Sequence, residues 1–345
     1  MCMRRLLIPM MLTFVSTVLC AQSGTLVVLN KSEHTASLIN VENGKTIATV
    51  PTGSAPHEVA ISPDGRLAVV ANYGTATPGS SLTVIDLSTT SVLREIDLGE
   101  YRRPHGILWL GEPRNIAVTA EGNKVLLVVD IEKGTVLSAI ETDQDISHMV
   151  AVTPDFSKAF VTNIRSGSVT VIDLSAKKRL SNIPTGAGAE GIDVSPNGKE
   201  VWITNRSANT ITVLGTKTLE KVADVVCADF PIRVKFTPDG RHVLVSNARS
   251  GDVAVFDAGT KKEVRRIKME LSAARDADTR LFGTQFGTSP VPIGILIPPD
   301  GKRAYVANTN ADIVTVIDLA TWEITERIKT GKEPDGLGYS TLELK

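Results

Sequence analysis

Three of the five histidines in this 345-residue sequence, His57, His105 and His148, occupy one place in successive copies of an internal repeat. Later copies carry Glu190, Ile232, Ile293 and Asp335 there. Imidazole and carboxylate suit transition metals, and three histidines from one arc of a ring leave an open side for water or substrate. The expected metal set is His57, His105, His148 and Glu190. The same side chains are also able to ligate or flank a haem-like cofactor. The next position is Gly106, Gly191, Gly294 and Gly336 in four copies, where backbones crowd closely. Glu58 and Arg233 break that rule and join the ligand-binding set, with Arg233 and Asp335 as orienting groups. A second reading stays open: the histidines share strand parity with Val59 and Ile61, Ile107 and Trp109, and Val150 and Val152, and so pack between sheets or form a watered polar collar.

The elements that place these residues follow from the repeat. A Val-rich strand ending in Asn returns at Asn30, Asn72, Asn163, Asn205, Asn247 and Asn308, mostly 42 residues apart. A decayed copy, Ile116-Ala-Val-Thr-Ala120, fills the wide gap between Asn72 and Asn163. Units of roughly 40–45 residues hold four strands each and are blades of a β-propeller. Turns such as Ser62-Pro-Asp-Gly65, Ser195-Pro-Asn-Gly198 and Thr237-Pro-Asp-Gly240 mark each unit, because Pro, Asp and Gly suit turn dihedrals. Seven units result, so the fold class is all-β, a seven-bladed propeller over 24–345. Pro334-Asp-Gly-Leu-Gly-Tyr-Ser340 is expected to close the ring beside Thr25-Leu-Val-Val-Leu-Asn30. In the third unit Gly111-Glu-Pro-Arg114 replaces the usual turn, which predicts an irregular blade.

Residues 1–21 read as a secretory leader: Arg4 and Arg5, an apolar run from Leu6 to Leu19, then small residues around Ala21. A periplasmic or secreted location is expected, and no later segment is apolar enough to span a membrane. Leu19 stands where a lipidated Cys20 needs a small residue. Without the two arginines the net charge falls from −1 to −3, which argues against general nucleic-acid binding. Cys227 is the thiol certain to remain, so no disulfide framework is available. With 4% aromatic residues, the blades must pack through Val, Ile and Leu.

Ala159-Phe-Val-Thr-Asn163, Val201-Trp-Ile-Thr-Asn205 and Tyr305-Val-Ala-Asn308 resemble the YVTN repeat of bacterial propellers. The chain is similar to YncE-like proteins of the superfamily that includes NirF and the haem-d1 domain of cytochrome cd1 nitrite reductase. The resemblance implies the propeller fold and supplies no catalytic residue. It leaves a d1-like haem open, whereas covalent c-type haem is excluded because Cys-x-x-Cys-His is absent.

The insertion 268–291 joins the sixth blade to the seventh on the face that carries the histidines. It is able to cover the channel mouth, and Glu270–Leu281 is a candidate short helix. Gly186-Ala-Gly188-Ala-Glu-Gly191 matches a dinucleotide fingerprint in letters only, since it opens no helix. The leading expectation is an exported binding module taking a small-molecule or protein ligand at the channel mouth. The alternatives are a metal-dependent hydrolase of the lactonase kind and a redox or haem-handling protein holding d1-type haem.

Overall fold

The computed structural model describes residues 23–111 and 114–344; the expected leader lies outside them. Among these residues the chain forms seven antiparallel four-stranded sheets. Successive inner strands touch around a closed ring, and the sheet holding both chain ends has the order β28 (Pro334–Ser340), β1 (Thr25–Asn30), β2 (Thr35–Asn40), β3 (Thr46–Pro51). Thr25 pairs with Ser340 and Val28 with Leu337, as ring closure requires. Blade 1 is this mixed sheet, and blades 2 to 7 follow in chain order.

Aliphatic side chains fill the space between neighbouring sheets. Val69, Leu82 and Val84 of blade 2 meet Ile116, Val118 and Leu127 of blade 3, all nearly inaccessible to water. Trp202, Phe236 and Phe256 form an aromatic exception between blades 5 and 6. Blade 3 is regular over its described residues: β8 (Pro104–Trp109), β9 (Asn115–Ala120), β10 (Val125–Asp130) and β11 (Thr135–Glu141) pair in order, which corrects the expected irregularity. The insertion holds a single 3-10 turn, Ala277–Thr279, in place of the candidate helix.

The signature residues prove to be joinery. Asn72 accepts from the Gly53 N–H at 3.1 Å and donates to Ser81 and Thr83 at 3.0 Å, clamping the loop that arrives from the preceding blade. Asn30 does the same for Gly331, Thr35 and Ser37. The preceding threonine reaches forward: Thr119 donates to the His148 carbonyl at 2.6 Å, Thr162 to that of Glu190 at 2.6 Å, and Thr204 to that of Ile232 at 2.9 Å. Blades 3, 4 and 5 thus hold the next blade's ring residue by its backbone, and Ser246 of blade 6 does the same for Ile293 at 2.7 Å.

Two backbone devices recur where the chain enters an inner strand. A left-handed residue stands two places before the ring position, at Ala55 (φ 47°), Arg103 (φ 56°), Ile146 (φ 58°), Gly188 (φ 78°), Phe230 (φ 64°), Val291 (φ 56°) and Glu333 (φ 55°). A bulge follows: Pro56 pairs with Asn72 but Val59 with Val70, three residues against two. The same shift separates Pro104 from Ile107, Ser147 from Val150 and Ala189 from Ile192. One extra residue reverses the alternation of a strand and re-aims a side chain. Shared parity with Val59, Ile107 and Val150 thus says nothing about where the histidines point. The bulge also accounts for the glycines, because a Cβ on Gly191 would lie 2.2 Å from the Ile232 carbonyl and one on Gly336 2.4 Å from that of His57.

Candidate functional site

Aimed by bulge and left-handed turn, six of the seven ring residues, His57, His105, His148, Glu190, Ile293 and Asp335, line a cavity of ≈ 310 Å³, while Ile232 packs among Ala248, Phe286 and Ile293. The His57 and His105 ring centroids are 5.0 Å apart at 65°, and those of His105 and His148 3.7 Å apart at 35°. Sequence spacing alone thus brings together three imidazoles from blades 2, 3 and 4.

A second tier comes from the residue after each signature Asn. It reads Lys31, Tyr73, Glu121, Ile164, Arg206, Ala248 and Thr309. Tyr73 donates to Glu121 at 2.6 Å, Glu121 receives His148 Nδ1 at 2.5 Å, Arg206 pairs with Glu190 at 2.6 Å, and Lys31 with Asp335 at 3.4 Å. Tyr73 and Glu121 are functional candidates that the sequence reading missed. Their shared position was visible, but no residue type recurs there to mark it.

Beneath this layer Arg233 crosses the channel. It binds Glu58 at 2.6 Å and Glu190 at 3.4 Å, joining blades 2, 5 and 6. A lower cavity of ≈ 660 Å³, lined by Ile61, Trp109, Val152 and Tyr339 among others, lies on its far side, and Arg233 borders both spaces. The insertion supplies the roof through Leu281, Phe282 and Gln285. It is pinned by Arg280, which binds Asp276 and Asp312 at 2.6 Å and the Thr309 carbonyl at 3.0 Å.

Charges around the well balance. Four carboxyl groups, Glu58, Glu121, Glu190 and Asp335, face four basic groups, Lys31, His148, Arg206 and Arg233, and each has a partner among them. Burial would raise the Glu190 carboxyl, but Arg206, His148 and Arg233 hold it down at about 2. Burial would lower the His148 imidazole, yet Glu121 and Glu190 raise it above its ordinary value. Among the described residues the other two rings form no ion pair, although Asp335 acts weakly on His57 against the effect of burial. Burial, aided by Lys31, lowers His57 to about 4, and burial with the neighbouring histidines holds His105 well below its usual range. At neutral pH both are uncharged bases.

The sequence set of His57, His105, His148 and Glu190 is not one coordination cluster. Among the described residues, the group of three metal-competent side chains that approaches within 4.8 Å is His105, Glu121 and His148. Within it His148 Nδ1 already serves Glu121, and Nε2 lies 3.5 Å from Glu190. That trio is an ion pair with a ring stacked on it. Glu58 and Arg233, expected to meet a ligand, meet each other.

Fold and site together define a seven-bladed propeller with a roofed, histidine-lined well on one face. Residues 108–276 match the family described as YNCE-like beta-propeller, so over that span the chain is similar to the family its repeats resemble. Among solved structures, the hydrazine synthase of Kuenenia stuttgartiensis is similar with a TM-score of 0.69 and 22% identity, over 89% of this chain and 98% of that one. Dihydro-haem d1 dehydrogenase NirN in complex with DHE is similar with a TM-score of 0.68 and 16% identity, over 92% and 75% respectively. At such identities the likeness is one of fold. No curated protein matches the sequence. Among the described residues no helix is long and apolar enough to cross a membrane.

Proposed function

We propose that this chain is an exported binding module that takes a small molecule into the roofed well and holds it through His57 and His105. The carrying observation is the balance of charge. The four carboxylates and four basic groups around the well are paired with one another, whereas these two neutral imidazoles form no ion pair among the described residues. His57 keeps one nitrogen for the Ala55 carbonyl at 2.8 Å, which leaves Nε2 as an acceptor. His105 Nδ1 is buried without a hydrogen-bond partner. Buried polar atoms cost stability unless satisfied, so a ligand that satisfies them gains affinity. Export rests on the leader-like composition of 1–21.

Size favours a small ligand over a macrocycle. A cavity of ≈ 310 Å³ is at the lower end of ligand pockets, and a tetrapyrrole of the kind named for NirN would have to displace Leu281, Phe282 and Gln285. The test is native mass spectrometry and absorption spectroscopy of the chain recovered from its own cells. A bound small molecule that is lost from the His57→Ala/His105→Ala double variant supports the reading. Retention of that molecule by the double variant sinks it, and a Soret band transfers the site to haem.

A further inference from the structure

We infer that His57 and His105 together hold a borderline transition-metal ion of the Zn²⁺ or Cu²⁺ class on the wall of the well, with Asp335 beside them. The inference deepens the function proposed above and rests on it. Geometry separates this pair from its neighbours. An ion bonded at ~2 Å to one nitrogen of each of two imidazoles at tetrahedral angles keeps the ring centroids ~5 Å apart. His57 and His105 stand at 5.0 Å with their planes crossed at 65°, whereas His105 and His148 lie stacked at 3.7 Å, too close for both lone pairs to meet one ion.

Hydrogen bonding agrees with the geometry. Metal-binding histidines commonly give their other N–H to a carbonyl, which fixes tautomer and orientation. His57 Nδ1 does so to Ala55, whose left-handed backbone turns that carbonyl toward the ring. His105 is 2% exposed, and its Nδ1 has no partner. Asp335 Oδ1 is likewise buried and unpartnered on the same cavity, its other oxygen bound to Lys31. Two imidazoles bordering a cavity leave coordination positions open to a ligand's own donor atoms, and the Asp335 carboxylate adds negative charge on the same wall without joining the cluster. Calcium and magnesium are disfavoured, since they select oxygen donors. His148 is set aside because Glu121 holds its Nδ1, Glu190 lies 3.5 Å from its Nε2 and its ring lies 3.7 Å from that of His105.

The chelator-treated full chain is titrated with Co²⁺ and Zn²⁺ by calorimetry, visible absorption and imidazole NMR. One equivalent should bind, Co²⁺ should give a ligand-field band, and the ring signals of His57 and His105 should broaden before those of His34 and His242. His57→Ala and His105→Ala should each weaken binding at least tenfold, while His242→Ala leaves it unchanged. No saturable uptake, or uptake equal in both site variants, overturns the inference. If a variant fails to fold, broadening in the unsubstituted protein decides alone. A small molecule kept by metal-free protein but lost from His57→Ala/His105→Ala overturns the ion and leaves the binding module standing. A molecule kept by that double variant overturns the module, whatever the metal result.

Discussion

Glu190 is the residue on which the charged layer turns, because it receives Arg206 and Arg233 and faces His148. Its carboxyl titrates at about 2 in the fold against an ordinary 4.5. A depressed carboxyl contributes stability that is fully present above its unfolded value and is lost as pH falls through the folded one. The window is therefore pH 4.5 down to 2, and the shift corresponds to roughly 3 kcal/mol. His148 works in the opposite sense: its raised imidazole contributes below its unfolded value of 6.5 and loses that contribution as pH rises through its folded value. Both shifts describe one ion pair in part, so they do not add. Urea unfolding across pH should give Glu190→Gln a shallower acid limb than the parent, and His148→Gln a flatter profile above neutrality. Identical profiles would show that the layer adds nothing to folding.

Strands and loops decide how those residues are presented, and here the signature threonines make the sharpest case. Thr119 accepts from the Gly106 N–H at 2.8 Å and donates to the His148 carbonyl at 2.6 Å. Thr119→Val keeps the shape and strands both buried groups, so a loss of about 2 kcal/mol is expected in chemical unfolding. The roof offers a second case. Arg280 is nearly buried and fastens the insertion to the loop carrying Asp312. Arg280→Ala should raise hydrogen exchange at 270–287 at least tenfold while blade amides stay protected; equal protection would locate the fastening elsewhere, in the stack of Phe282 and Phe286 on Phe230. These elements also mark what could be read in advance. Blade number, the closing strand and the ring from His57 to Asp335 were legible because each repeats by type or spacing. The bulge after Pro56 was not, since it changes pairing without changing composition. Glu121 and Tyr73 were hidden for a related reason: their position varies from Lys31 to Ala248, and the loop charges that make it matter come from other blades.

At the scale of the whole molecule, the well exists only because seven sheets meet around one axis, and the ring is closed by a strand from the opposite end of the chain. In open repeat arrays each unit needs only its neighbours, and terminal units are capped. Here β1 is covered by the far end of the chain: Leu26 and Val28 pack against Leu337 and Tyr339, while Thr25 donates to the Leu342 carbonyl at 2.7 Å. Deleting 334–345 removes those partners, opens the β1 edge to other chains and takes Asp335 from the well. The truncated chain is expected to lose cooperative thermal unfolding and to associate. Closure rather than chain order should be what matters. Ser23 and Tyr339 touch at 2.6 Å, so linking 344 to 23 through a short spacer and opening the exposed turn between Lys177 and Lys178 preserves every blade. That permutant should unfold in one transition within a few degrees of the parent while the truncation does not. If the truncated chain instead melts like the parent, blade 1 is an independent unit and the well does not depend on the ring being shut.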